Sequence, residues 1–312
     1  MMTKTNVIYG CMGLGGNQSE FSNETKKQAF RALDAAIDGG IRRFDHANIY
    51  NLGKAETVFG LWLRENNGLR KEIYIQTKAG IKLHVGPYNS SYYDFSSDYI
   101  IAEVKKSMER LNVDYLDMFL LHRPDPLAAP EIVAKTMKYL VQEGLAKSIG
   151  VSNMSVAQID WLRNTVGVEV VANQIQFGLG HALLVEQDVL VNTNNVANHG
   201  LQGMLQYAMT NDIELQAYSP LDRGLFLLPL AETDSEGVAN TKALLHELSI
   251  KYNATPMAIL LNWITKLPAR MAPIIGTVKP NRIAAVKDVV DFKISHDDWY
   301  RLWVMARGEK LP

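Results

Sequence analysis

Cysteine is almost missing from this sequence, with Cys11 alone among 312 residues. An intramolecular disulfide is therefore excluded, and a reducing cytoplasm is the compartment expected. No apolar run approaches the ~18 residues that a membrane span requires. The start, MMTKTNVIYGCMGLGG, has no signal-peptide core. Neither charge sign is in excess: 32 Lys and Arg against 33 Asp and Glu leave a net charge of -1. That balance gives no overall pull toward nucleic acid or an anionic membrane, and no basic stripe or nucleic-acid module is present. Metal patterns such as H-E-x-x-H or a cysteine cluster are absent, so no metal is expected. The N-terminal glycines read G-C-M-G-L-G-G, which is not the dinucleotide fingerprint G-x-G-x-x-G, and there is no phosphate-loop motif. No linker, charge block or composition shift divides residues 1–312, so one domain is expected.

What is there is an alternation. Short apolar runs occur near residues 7–13, 41–46, 73–78, 116–122, 147–152, 169–175, 213–219 and 272–276. Helix-period segments separate most of them. Asn23 reads as an N-cap, Ala29, Leu33, Ala36 and Ile37 share a face, and Gly39-Gly40 stops the turn. After Ser97 the same spacing joins Ile100, Ile101, Val104, Met108 and Leu111. Pro130 suits a first helical turn, with Val133, Met137, Leu140 and Val141 inward before Gly144. Continuous apolar strands such as LDMFLLH suit parallel strands covered on both sides. About eight strand–helix units predict an α/β fold, a closed (β/α)8 TIM barrel, over a doubly wound sheet.

In such a barrel the strand ends converge on one mouth. Asp45 ends the second run, with Tyr50 in the next loop; Lys78 ends the third and His122 the fourth. Ser152 and Asn153, then Gln174, then Tyr218 and Ser219 finish the next three. Singly, each has a plain reading: a lysine at a strand end is usually a solvated cap, and a lone histidine is more often structural. Jointly, Asp, Lys and His on neighbouring strands point to proton delivery to a carbonyl. A free phenol, with a pKa of about 10, is a poor acid near neutrality. Lys78 is expected to lower that value for Tyr50, with Asp45 orienting and compensating the buried ammonium. His122 would orient the substrate oxygen by hydrogen bonding or share in proton relay.

Seven stretches in order carry a resemblance: FDHANIYNLGKAE, IQTKAG, DYLDMFLLHRPDP, GLAKSIGVSN, ANQIQF, AYSPL and PIIGTVKPNR. They run over nearly the whole chain, which resembles the aldo-keto reductase superfamily in its bacterial oxidoreductase branch. The resemblance implies a barrel that binds NADPH across its mouth and reduces a small carbonyl substrate. It places the catalytic roles on Asp45, Tyr50, Lys78 and His122, with Tyr50 as proton donor. For the cofactor it implies Ser152, Asn153 and Gln174 at the carboxamide and Tyr218 stacked on the nicotinamide. Ser219, Leu221 and Arg223 would lie beside the pyrophosphate, and Gly276, Thr277, Lys279 and Arg282 near the 2′-phosphate. Cys11 and Met12 would meet the mouth from the first strand, although Cys11 reads equally as a packed thiol.

Other features stay apart from this assignment. His46 should point away from the site by strand alternation. Arg123 fits either the substrate entrance or a surface ion pair. Ala285 and Val286 stand where relatives offer polar contacts to adenine. Tyr88, Tyr92, Tyr93 and Phe95 suggest an aromatic wall in the 79–97 loop, and the 176–200 loop is long and Asn-rich. The short C-terminus predicts an open site with broad specificity. Two rival functions fit the same barrel. A Schiff-base enzyme using Lys78 is disfavoured by the adjacent carboxylate, which opposes a lowered lysine pKa. An NADPH-binding redox sensor with slow turnover is the alternative.

Overall fold

The structure is a computed structural model that describes residues 6–16, 22–85, 90–165, 167–194, 200–290 and 292–312. Eight parallel strands close into a barrel. In barrel order they are β1 (Ile8–Gly10), β2 (Arg43–Asp45), β3 (Tyr74–Ala79), β6 (Met118–Leu121), β7 (Ile149–Ser152), β8 (Val170–Gln176), β9 (Glu214–Tyr218) and β10 (Met271–Ile275). Each expected apolar run holds one of them. The first is shorter than expected, because Cys11–Gly13 turns as a 3-10 helix. An extra antiparallel hairpin, β4 (Ile81–Val85) with β5 (Ser90–Tyr93), interrupts the connection after β3.

The main surrounding helices begin with α1 (Asn23–Asp38), α2 (Lys54–Glu65), α3 (Ser97–Leu111) and α4 (Pro130–Gln142). Later ones are α5 (Val156–Asp160), α6 (Leu183–Val189), α7 (Met204–Thr210), α8 (Glu236–Tyr252), α9 (Pro256–Thr265), α10 (Pro280–Ala284) and α11 (His296–Arg307). Among the described residues, no helix is long and apolar enough to cross a membrane. Two details of the sequence reading change. Ser22, not Asn23, caps α1, its hydroxyl accepting the Thr25 N–H at 3.1 Å. Val141 is exposed, because α4 turns that side outward while Val133, Met137 and Leu140 pack inward.

The apolar core lies between strands and helices, where side chains such as Phe44, Phe59, Trp62, Phe119 and Trp263 are sealed from solvent. Each fully buried large apolar side chain contributes about 1.5–3 kcal/mol. Inside the barrel the apolar fill is thin. It consists of two small clusters, Ile8 with Ala272 and Ile274, and Met118 with Leu120 and Ala172. The rest of the lumen is polar, and that polarity leads directly to the mouth.

Candidate active site

Strand alternation turns Asp45 and Lys78 into the barrel. The Lys78 ammonium, fully buried, donates to both carboxylate oxygens of Asp45 at 2.7 and 2.6 Å. It also lies 5.0 Å from the centre of the Tyr50 ring. The ammonium thus sits between the Asp45 carboxylate and the Tyr50 ring. His122 follows β6 and meets Tyr50 edge to face, ring centres 6.2 Å apart. All four candidates are therefore neighbours.

The electrostatics differ from the simple expectation in one respect. Burial raises the Tyr50 phenol above its ordinary value, and the lowering by Lys78 does not overcome it. Tyr50 is thus held as a protonated phenol. Burial also works against the charge on Lys78, but Asp45 and Tyr50 hold that ammonium above the usual lysine value. A lysine held so firmly charged is the wrong nucleophile for a Schiff base. Burial, then Lys78 and Arg123, push His122 down to about 3, so its imidazole is neutral near pH 7. Its Nδ1 is buried without a hydrogen-bond partner among the described residues.

A second chain of hydrogen bonds runs along the next strand ends. The Tyr218 hydroxyl donates to Asn153 Oδ1 at 3.0 Å, Asn153 Nδ2 to the Ser152 hydroxyl at 2.8 Å, and that hydroxyl to the Gln174 carbonyl at 2.9 Å. Gln174 Nε2 donates to Asp45 Oδ1 at 2.9 Å, which joins this row to the Asp45–Lys78 pair. Ser219, Leu221 and Arg223 lie on the loop after β9, where Ser219 and Arg223 adopt left-handed backbone with φ of 52° and 57°. Gly276 and Thr277 follow β10, and the Thr277 hydroxyl accepts the N–H of Lys279, the residue before α10. Arg223, Lys279 and Arg282 are exposed, and none has a carboxylate partner among the described residues.

Other candidates separate. Met12 is exposed, whereas Cys11 is sealed in the core with its thiol directed at the Tyr9 carbonyl, as a packed thiol would be. His46 points out of the barrel against Phe59, ring centres 4.6 Å apart, as alternation predicts. Arg123 has no carboxylate partner among the described residues and reaches the Tyr218 hydroxyl at 3.5 Å, on the side of the entrance rather than a surface ion pair. Val286 is buried core. Of the proposed aromatic wall, Tyr92 and Tyr93 are exposed on β5, but Phe95 is buried under Gly80 and Tyr88 lies outside the described residues. The long 176–200 segment contains α6, and its residues 195–199 also lie outside the described set.

Three contributors were not singled out from sequence. Asn51 Nδ2 donates to the Met12 and Leu14 carbonyls at 2.9 and 2.6 Å, tying the Tyr50 loop to the loop after β1. Gln76 and Gln216 are fully buried beneath Asp45. Their signal was position: each stands two residues before a candidate site residue, Lys78 or Tyr218, and so on the same strand face. Among the described residues no cluster could hold a metal ion. A groove of about 800 Å³ between α8 and α11, lined by Glu236, Asp297, Tyr300 and Arg301, holds none of these candidates.

Comparison with known proteins agrees with the barrel fold. The family model described as "Aldo/keto reductase family" matches residues 6–303. The chain is 30% identical over 309 residues to the oxidoreductase YcsN of Bacillus subtilis, covering 98% of this chain and 95% of that protein. It is 31% identical to the 6-dehydroglucose reductase of Novosphingobium aromaticivorans, covering 93% and 90%. The glycerol dehydrogenase structure from Gluconobacter oxydans shares the fold at a TM-score of 0.83 and 23% identity, covering 98% and 92%. An aldo/keto reductase from Klebsiella pneumoniae, solved with NADP and acetate, shares it at 0.73 and 22%, again covering 98% and 92%. An oxidoreductase barrel whose family model spans nearly all of its length, this chain belongs to the aldo/keto reductase family.

Proposed function

We propose that this protein reduces aldehydes or ketones to alcohols, using NADPH. The observation that carries this reading is the buried line Asp45–Lys78–Tyr50, which ends in a protonated phenol. Tyr50 gives its proton to the carbonyl oxygen as that oxygen gains negative charge. Lys78, kept charged by Asp45, stabilises the phenolate that remains. Neutral His122 donates a hydrogen bond that fixes the carbonyl, and its unpartnered Nδ1 leaves the ring free to choose its tautomer.

The polar row and the free cations fit a pyridine dinucleotide. Ser152, Asn153 and Gln174 would hold a carboxamide; because the Gln174 amide nitrogen is committed to Asp45, its oxygen is left for the ligand. Tyr218 would cover the ring. Arg223 would meet the pyrophosphate, with Ser219 and Leu221 beside it, and Thr277, Lys279 and Arg282 the 2′-phosphate, with Gly276 leaving space. When bound, the nicotinamide supplies the hydride. Relatives named as reductases support the reaction class, and the Klebsiella structure with NADP supports the cofactor.

The test is NADPH consumption over a panel of aldehydes and dicarbonyls, wild type beside Tyr50→Phe, with NADPH binding followed by fluorescence. Turnover should collapse in the variant by at least about 10²-fold while binding stays within a few-fold. Tight NADPH binding with no turnover on any carbonyl would replace this reading with the sensor. No NADPH binding would remove both.

A further inference from the structure

Barrel lumens are ordinarily filled by branched aliphatic side chains in layers. This one instead holds a column of polar groups. At its lower end Arg43 pairs through both guanidinium nitrogens with Glu214, at 2.8 and 2.5 Å. Gln216 Nε2 donates to Glu214 Oε1 at 3.0 Å and to Gln76 Oε1 at 3.0 Å. Gln76 Nε2 returns the bond to Gln216 Oε1 at 2.7 Å and donates to Asp45 Oδ1 at 2.7 Å. Gln174 Nε2 adds a donor to each of Gln216 Oε1 and Asp45 Oδ1.

The column has a fixed polarity. The glutamine pair meets a carboxylate on each side, Glu214 below and Asp45 above, so each side demands a donor. Two amides facing each other reciprocally meet that demand, because each keeps one N–H for its partner and one for a carboxylate. All four N–H groups of the Gln76–Gln216 pair are used. Turning either amide over would set oxygen against a carboxylate. Asp45 Oδ1 thereby receives three donors, Lys78, Gln76 and Gln174, while Oδ2 receives Lys78 alone among the described residues. The carboxylate is locked in the one rotation that lets both oxygens meet Lys78.

We infer that Gln76 and Gln216 are positioning residues, a buried amide pair that fixes Asp45 so that the Lys78 ammonium stays aimed at Tyr50. The inference rests on the proposed role of Tyr50 for its effect on rate, but not for its effect on Lys78. With Gln76 replaced by a thioether of similar length, Asp45 Oδ1 loses a donor, the carboxylate gains freedom, and Lys78 is no longer held on two oxygens. A lumen filler with no such role would lose stability only.

The experiment compares Gln76→Met, Gln216→Met, the double variant and Met137→Leu, an apolar core change on α4 outside the lumen. Lys78 is read by its 13Cε resonance in lysine-labelled protein, assigned with Lys78→Met. The charged and titratable groups around it are Asp45, Tyr50, Cys11, His122 and, behind β2, His46. We expect the Lys78 titration to move down by about one unit or more in Gln76→Met. We also expect kcat to fall about 10- to 100-fold, with KM and NADPH affinity within about threefold. The double variant should lose no more than the larger single loss, since the pair acts as one unit. Met137→Leu should keep wild-type kcat and Lys78 titration whatever its Tm. A moved Lys78 titration without carbonyl turnover in the wild type would uphold the positioning and sink the proposed reaction. Unmoved Lys78 titration and kcat in Gln76→Met, with only Tm lowered, would overturn the inference.

Discussion

Tyr50 is followed by three residues in left-handed backbone: Asn51, Leu52 and Gly53, with φ of 49°, 57° and 85°. Only glycine takes that region freely, and asparagine tolerates it best among the rest. Asn51 adds two hydrogen bonds that other residues could not make, onto the Met12 and Leu14 carbonyls. Two substitutions separate these contributions. Asn51→Gly keeps the backbone freedom and loses the ties; it should retain Tm within a few degrees while kcat drops several-fold. Asn51→Ala loses both and should also destabilise by about 1–2 kcal/mol, read from thermal and denaturant unfolding. Wild-type kcat in Asn51→Gly would count against the tie, and equal stability of the two variants against the backbone contribution. At this scale the positions of Asp45, Lys78 and His122 were legible, because a polar group ending an apolar strand breaks the pattern. Asn51 was not, since nothing local shows which carbonyls its side chain will meet. Nor did sequence show that burial would outweigh Lys78 at the Tyr50 phenol, because desolvation depends on the assembled surroundings.

Helices α2 and α3 carry the next scale. They pack so closely that a Cβ at Gly60 would lie 2.0 Å from the Arg110 carbonyl oxygen. The approach also brings Arg110 Nε to 2.7 Å from Glu56 Oε2, a carboxylate that takes the Thr77 hydroxyl on its other oxygen at 2.6 Å. Glu56 is wholly buried, so its pairing depends on that spacing. Gly60→Ala must push the helices apart, and overpacking of this kind costs about 1–3 kcal/mol. The expected loss is at the upper end, a drop of roughly 4–5 °C in Tm for a chain of this size. An unchanged melt would mean that α2 shifts freely. Element type and order were readable from periodicity: eight strands and the faces of α1, α3 and α4 follow from where the apolar residues fall. Exposed Val141 and buried Phe95 departed from that reading, because a one-residue difference in helix phase or hairpin geometry changes which side meets the core.

For the whole molecule, the barrel's closure was legible and its polar lumen was not. A continuous apolar strand announces burial on both sides, whereas a glutamine inside it does not reveal whether its partner stands on a strand 140 residues away. The same packing leaves one histidine on the outer side of β2. His46 is fully buried, both ring nitrogens lack partners among the described residues, and burial followed by Lys78 lowers its pKa from 6.5 to about 3. Between those two values the unfolded chain binds a proton that the folded chain refuses. Stability is therefore complete above about pH 6.5 and falls as the pH drops toward 3. At pH 5 this group alone should remove about 2 kcal/mol. His122 acts in the same direction. His46→Phe keeps the contact with Phe59 and has no proton to refuse. Denaturant unfolding at pH 7.5 and pH 5.0 should show the wild type losing about 2 kcal/mol more than the variant across that interval. Identical pH slopes would mean that the folded protein opens enough to protonate His46, and that the seal between β2 and α2 is looser than its packing indicates.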